Sequence, residues 1–402
     1  MNRVVITGQG IVSSLGIGAK ENCEALQNGK CGIDLLDISG IEKLNIKIGA
    51  AVKGYQDDDY FTKQEILFFD KFTQFAIIAA KEAMIQSGIE INGELEEKTG
   101  VILGNAGGGL QTQDENFKSV YALNKSRLHP FIIPKLMSSA ATSQISIMFN
   151  AKGPSFTLST ACASSNHAMG QAYKMIQSGS LIAAITGGAE SMLCFGGLKA
   201  WEGLRVMSND NCRPFSANRT GMVQGEGAGI FVFEEYTHAR ARGAKILAEI
   251  IGFEMNSDAS DIVKPNKIGA VKAISGALAD AKVDPIDVGY INAHGTGTLI
   301  NDKIETAAIK TVFQDHSKQL LVSSTKSMHG HLIGGAGAVE LFASVMAVRE
   351  GIIPPTINYT SFDPDCDLDF VTNVSRESNV DIVVSNAFAF GGCNAVIVLK
   401  RF

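Results

Sequence analysis

Apolar residues along this chain come in short runs, and most runs are closed by glycine. Val4 to Thr7 is β-rich and ends at Gly8-Gln9-Gly10, and Ala19 to Asn28 has helical character up to Gly29. That pairing predicts an opening strand-helix unit. Lys71 to Ser87 has the period of an amphipathic helix and stops at Gly88. It follows a segment, from Tyr55 to Asp70, that is polar until Ile66-Leu67-Phe68-Phe69. Val101 to Leu103 reads as a buried strand entering a glycine loop, Gly104 to Gly109. Ser138 to Phe149 reads as a helix, Pro154 to Leu158 as extended, Ser165 to Gln177 as a helix, and Leu181 to Thr186 as a strand ending in Gly187-Gly188.

After a helical stretch from Tyr236 to Arg242 the pattern starts again. Strands are expected at Lys245 to Gly252, Val288 to Asn292, Leu320 to Ser323, Asp381 to Val384 and Ala395 to Leu399. Helices are expected at Ile268 to Ala281, Ile304 to Phe313 and Gly335 to Arg349. The chain thus divides into two similar α/β halves, 1–244 and 245–402, although literal identity between them is slight. In such folds ligands gather beyond the carboxyl ends of the strands, where these glycine turns fall.

Composition narrows the class. A chain of 402 residues, 45% hydrophobic and 19% charged, has ample core. Its 42 Gly against 9 Pro point to many tight turns rather than to disorder. A net charge of −6 without a Lys/Arg run offers no field for nucleic acid. No stretch approaches the roughly 20 apolar residues that span a bilayer, and the N-terminus reads as a strand and turn rather than a signal peptide. No membrane association and a cytoplasmic location are therefore expected. The seven Cys are scattered and never spaced Cys-x-x-Cys, which fits reduced thiols better than disulfides or a zinc ribbon.

Chemistry concentrates in four turns. Cys162 lies where an extended segment meets a helix, and the unpaired N–H groups and dipole of a helix start favour a thiolate. Its neighbours Ala161, Ala163, Ser164 and Ser165 are small enough to admit a substrate. The alternative is a buried structural cysteine. The other turns are Ala293-His294-Gly295-Thr296-Gly297-Thr298, Ser324-Thr325-Lys326-Ser327-Met328-His329-Gly330-His331, and Asn386-Ala387-Phe388-Ala389-Phe390-Gly391-Gly392. Each histidine is either a base, a hydrogen-bond donor to a developing oxyanion, or a satisfied structural group. Cys162 with His294, His329 and His331 offers zinc ligand types, but the spacing is poor and a ligand cysteine needs no helix terminus. The glycine loops fit nucleotide fingerprints weakly. A simple Cys-His hydrolase would need neither two histidines nor the lysine.

Together these motifs, with Thr160-Ala161-Cys162-Ala163-Ser164-Ser165 and Phe390-Gly391-Gly392-Cys393-Asn394, resemble elongating β-ketoacyl-acyl-carrier-protein synthases of the thiolase superfamily over nearly the whole chain. The resemblance implies a thiolase fold, two pseudo-duplicated halves in a five-layer α-β-α-β-α arrangement, working as a dimer. It implies decarboxylative condensation of an acyl group with malonyl held on the phosphopantetheine of an acyl carrier protein, with no separate cofactor and no metal. Cys162 matches the nucleophile, His294 and His331 the catalytic histidines, and Lys326 with Glu340 the supporting pair. The backbone N–H groups of Cys162 and Phe390 match the oxyanion hole, Phe390 also the gate, and Thr296 and Thr298 the pantetheine contacts. Without the resemblance, Phe390 reads as core, the threonines as turn caps, and Lys326 with Glu340 as an ordinary exposed ion pair worth little.

Some positions depart from the family pattern. Ala389 replaces a glycine and should restrict the gate loop. Gly107 stands where a bulky aliphatic residue closes the acyl pocket, so a path toward the dimer partner would open for a longer or stiffer chain, such as a polyketide or polyene. Arg127 and Arg205 match carrier-docking positions, whereas Gln64-Glu65-Ile66-Leu67-Phe68-Phe69 replaces basic residues there. If exposed, that apolar segment suggests a specialised carrier or a heterodimer with a cysteine-less chain-length factor. Rival readings are a housekeeping fatty-acid synthase acting as a homodimer, a coenzyme A thiolase, toward which Cys393 leans, and a non-catalytic chain-length subunit, against which Cys162 speaks.

Overall fold

The computed structural model describes residues 1–402. Ten strands make its frame: β1 (Val4–Ser13), β2 (Thr99–Gly104), β3 (Ser155–Leu158), β4 (Ala183–Glu190), β5 (Gly227–Glu235), β6 (Ala248–Ser257), β7 (Tyr290–Asn292), β8 (Leu321–Ser323), β9 (Ile382–Phe388) and β10 (Cys393–Lys400). The first half is ordered β3-β2-β4-β5-β1 and the second β8-β7-β9-β10-β6. Counted within each half, both orders are 3-2-4-5-1. The first three strands of each order are parallel and the last two run antiparallel to their neighbours. The halves meet where Val4–Ile6 of β1 pairs antiparallel with Ala248–Ile250 of β6.

Helices complete the layers. Helices α1 (Lys71–Ser87) and α2 (Ala140–Phe149) pack outside the first sheet half, and α4 (Lys267–Ala281) and α5 (Leu299–Phe313) outside the second. Between them lie α3 (Ser164–Gln177) and α6 (Ala336–Glu350). Strand alternation sorts the side chains. Ile102, Phe231, Phe233, Ile397 and Leu399 enter the central core, while their neighbours Val101, Leu103, Ile230, Val232, Val396 and Val398 enter the outer cores. With both faces covered, the strands read as apolar runs. Helix α6 is buried on every side from Ala336 to Val348, so no polar stripe is needed.

Several elements differ from the sequence expectation. β1 does not turn at Gly8 and Gly10 but runs on to Ser13. A Cβ on either glycine would stand 2.1 or 2.0 Å from the Ala83 or Ala79 carbonyl oxygen of α1, so these glycines serve close helix-strand approach. Likewise β4 continues through Gly187-Gly188, because a Cβ on Gly187 would lie 2.0 Å from the Gly229 oxygen of β5. β6 begins later than Lys245, α5 starts at Leu299 rather than at Ile304, and β5 and the helix Leu110–Tyr121 are additional to the expected elements, although Ile230 to Phe233 of β5 is an apolar run. No helix is long and apolar enough to cross a membrane.

Candidate active site

The turn after β3 presents Cys162. Ala161 sits at φ 49°, a conformation that strains a residue with a Cβ. Hydrogen bonds hold it there: the Ser164 hydroxyl donates to the Ala161 carbonyl at 2.7 Å and accepts from the Thr160 N–H at 2.9 Å. Cys162 then lies two residues before α3, as the sequence placed it. The expected thiolate does not follow, however. Burial pushes the thiol up to about 12, against the opposing pull of the Lys326 ammonium and of the backbone N–H groups of Phe390 and of Cys162 itself. At neutral pH the resting side chain is a thiol.

Two imidazoles face it. One ring nitrogen each of His294 and His331 and the Cys162 sulfur lie within 4.8 Å of one another, and the rings meet edge to face with centroids 5.5 Å apart. The backbone N–H of Ile333 donates to Nδ1 of His331 at 3.2 Å. Nδ1 is therefore the acceptor, and the proton belongs on Nε2, which has no protein partner. Lys326 Nζ lies 3.4 Å from Nδ1 of His294, which assigns that ring the same tautomer. Burial first, and Lys326 second, hold both imidazoles well below their usual range, so they are neutral.

Lys326 and Glu340 form a fully buried ion pair. The His294 turn is fixed by a group that the sequence reading did not name. The Glu305 carboxylate of α5 accepts the N–H groups of His294 at 2.8 Å and Gly295 at 2.7 Å, and the Asn386 side-chain amide at 3.1 Å. An acidic residue on the buried face of a helix beside the turn was the available signal. Unlike its neighbours, His329 faces away. Its nitrogens bond the Gly330 carbonyl and the Thr325 hydroxyl at 2.8 and 2.9 Å, which removes it from any zinc set. The remaining Cys-His-His group lies beside the Lys326 ammonium, whose charge opposes a further cation.

A cavity of about 310 Å³ opens over these groups. Cys162, His294, His331, Thr296, Thr298 and Phe390 all line it, with Arg205 and Lys264 also on its wall. The Thr296 and Thr298 hydroxyls are 2.9 Å apart, and Phe390 stacks on Trp201, centroids 5.9 Å apart. Ala389 takes φ −113°, ψ 158°, so alanine is unstrained in this loop state; the left-handed positions belong to Gly391 and Gly392.

Other expected positions fall outside. Gly107 does not line the cavity, and no path opens there within the chain: a Cβ on Gly107 would lie 2.2 Å from the methyl of Met192, which fills the space. Cys393 is not on the cavity wall either. Arg127 is exposed and unpaired on the 122–131 segment. The apolar Gln64–Phe69 segment is divided: Leu67 is exposed, Phe69 is buried, and Phe68 packs edge to face on Phe131 at 4.5 Å.

Two like halves of 3-2-4-5-1 order, with a cysteine at one strand end and paired imidazoles at the other, define a thiolase-fold acyltransferase. The family models for the β-ketoacyl synthase N-terminal and C-terminal domains match residues 1–239 and 247–360. The chain belongs to the β-ketoacyl synthase family. It is 45% identical to nodulation protein E of Rhizobium leguminosarum bv. trifolii, over 99% of both chains. It is 39% identical to 3-oxoacyl-[acyl-carrier-protein] synthase 2 of Staphylococcus aureus (strain N315), covering 100% of this chain and 98% of the relative. The structure of the ishigamide ketosynthase/chain length factor superposes with a TM-score of 0.94 at 32% identity, covering 100% and 99% of the two chains.

The resting thiol yields a prediction. Alkylation of Cys162 by iodoacetamide, followed by peptide mass spectrometry, should be slow at pH 7 and rise about tenfold per pH unit without levelling off in the range where the protein stays folded. Lys326→Met removes the charge that favours the thiolate and should slow it further. A plateau near pH 7 would contradict the effect of burial.

Proposed function

We propose that this enzyme extends an acyl chain by decarboxylative condensation, at the one cavity that residues of both halves line. In the 1–244 half, the Cys162 sulfur attacks the thioester of an acyl chain on a carrier-protein phosphopantetheine. The pantetheine thiol leaves with the proton that the cysteine gives up. The N–H groups of Cys162 and Phe390 supply the oxyanion hole, and Thr296 with Thr298 hold the pantetheine arm. In the 245–402 half, Nε2–H of His294 and His331 donate to the malonyl thioester oxygen. The bond to the malonyl carboxylate breaks, CO₂ leaves, and its electron pair forms the enolate. The enolate carbon attacks the Cys162 thioester, the sulfur departs, and a β-ketoacyl carrier results. Lys326 and Glu340 set the field, and Phe390 against Trp201 serves as the gate.

One observation carries this reading: two neutral imidazoles, each with a ring nitrogen within 4.8 Å of the Cys162 sulfur, line one cavity with it. Removing one such donor typically weakens transition-state binding by about 3–4 kcal/mol. A coenzyme A thiolase of the Cys-His-Cys kind is disfavoured, because Cys393 stands off the cavity. The reaction needs no resident cofactor or metal, its substrates being carried thioesters, and we place it in the cytoplasm.

The partners are an acyl carrier protein, docking at Arg127 and Arg205, and a second ketosynthase chain. Exposed Phe117, Tyr121, Leu123, Phe131, Ile133 and Met137 give the apolar surface that such a dimer would cover. A specialised polyketide or polyene pathway, with a chain-length factor as the second subunit, is supported by the ishigamide likeness. The Staphylococcus relative and the Met192 plug favour the second reading, a fatty-acid homodimer with an ordinary acyl pocket.

Three experiments bear on these points. Incubated with acyl carrier protein and then malonyl carrier protein, the wild type should show a Cys162 acyl adduct by intact mass and then release a β-ketoacyl carrier. Cys162→Ala should show neither, and product from it would overturn the scheme. Arg127→Glu combined with Arg205→Glu should raise KM for the carrier about tenfold with kcat little changed; unchanged KM would move docking elsewhere. Met192→Ala empties the space beside Gly107 and should lengthen the accepted chain by roughly two carbons, whereas an unaltered product length would remove Met192 from the acyl path.

A further inference from the structure

Glu190, at the end of β4, is a buried carboxylate that none of these steps uses. It is fully enclosed, and no basic side chain pairs with it. Its only partners are N–H donors. Oε2 accepts from Ala106 at 2.9 Å and Gly334 at 3.2 Å, and Oε1 accepts from the Asn105 side-chain amide at 3.1 Å and Gly107 at 3.3 Å. Burial pushes this carboxyl up to about 7, and the same N–H donors pull it back. A buried acid without a counter-charge persists only if its hydrogen bonds are made.

The Gly334 bond leads to the chemistry. Ile333, the preceding residue, has φ 46°, a conformation that a β-branched side chain rarely adopts. Such strain survives where the surroundings impose it. Here the turn is clamped on both sides. The Gly334 N–H is held by Glu190, and the Gly334 carbonyl accepts the hydroxyl of Ser165 in α3. A Cβ on Gly334 would lie 2.5 Å from the Ala106 nitrogen and 2.7 Å from Glu190 Oε2, so only glycine allows this close approach. In this clamped state the Ile333 N–H is aimed at Nδ1 of His331.

We propose that Glu190 is a positioning residue for the condensation: by anchoring Gly334 it holds the strained Ile333 N–H on Nδ1 of His331 and so keeps the His331 proton on Nε2, toward the cavity. The inference rests on the role given to His331 above. Glu190 does not touch substrate. It acts through one turn of backbone, and it joins the 105–107 loop, the start of α3 and the His331 turn into one unit.

The test separates the two half-reactions. Glu190→Gln keeps the volume but replaces one acceptor oxygen by a donor, so that one pair of N–H groups loses its partner. Decarboxylation of malonyl carrier protein should fall about 10- to 100-fold in kcat, with KM changed by less than about twofold. Loading of Cys162 from an acyl carrier should change by less than about threefold, as expected when a misplacement affects one step. The ¹⁵N resonances of His331 should move from the Nε2–H tautomer toward a mixture. Unchanged decarboxylation, or equal loss in both half-reactions with the His331 resonances unmoved, would overturn the proposal. If the Gln variant does not fold, Glu190→Asp, which keeps the charge but withdraws it, is measured for the same outcomes. His331→Ala is run in parallel. Normal decarboxylation there would remove the role of His331 itself, whereas its loss beside a normal Glu190→Gln would remove only that of Glu190.

Discussion

The buried pair of Lys326 and Glu340 is the constraint on which the rest of the centre depends. Glu340 belongs to a helix enclosed on all sides, where an unpaired carboxylate would be strongly destabilising, and removing one member of such a pair typically costs about 3–5 kcal/mol. Meeting that requirement ties α6 in the central layer to the turn after β8, and so fixes the frame around His331. The ammonium also sits beside His294 and works on every titratable group around it. It lowers His294, His329 and His331 and draws Cys162 downward. Burial first, and this one cation second, thus keep the imidazoles neutral, which is the state in which each has one N–H to donate and one nitrogen to accept.

Around that pair, the loops at the strand ends are organised by carboxylates that hold backbone N–H groups. Glu305 does this for His294 and Gly295, and Glu190 for Ala106, Gly107 and Gly334. Each comes from its own half of the duplicated fold, and burial pushes each up to about 7. Side chains on loops are poorly placed unless something fixes the main chain beneath them. In this enzyme the rigid sheets end at the site, and these acids carry their rigidity the last few ångströms.

The duplicated order of strands and helices was legible because both halves repeat the same alternation of apolar run and glycine turn. The cysteine, the two histidines and the lysine were legible because they stand in turns with little other reason to hold them, whereas Glu340, inside α6, was reached only through the family resemblance. The cavity brings Cys162, His294, His331 and Phe390 together as that pattern implied. What misled was glycine itself. Gly8, Gly10 and Gly187 read as turns, yet they are mid-strand positions where a helix or a neighbouring strand comes too close for a Cβ. Glu190 gave no warning, since an acid that caps main-chain groups from another element has no local sequence signature, and Glu305 offered only that of an acid on the buried face of a helix. Met192 was equally silent: the empty volume inferred at Gly107 depended on a side chain 85 positions away, which only the fold brings near.

The cysteine shows why magnitudes must decide between competing local effects. A helix start contributes about 0.3–1 kcal/mol to an exposed anion and up to about 2 kcal/mol to a partly buried one, at most about one and a half pKa units. The rise of Cys162 from 9.0 to about 12 corresponds to about 4 kcal/mol against the thiolate. The helix terminus therefore cannot by itself offset the burial of this sulfur and produce a resting thiolate. What the site does supply is fixed N–H groups from Phe390 and Cys162 and neutral donors from two imidazoles, all aimed at one small volume. Such groups stabilise charge that develops on a bound carbonyl rather than charge stored on the free sulfur. In the proposed scheme the proton then leaves the cysteine only as the thioester is attacked.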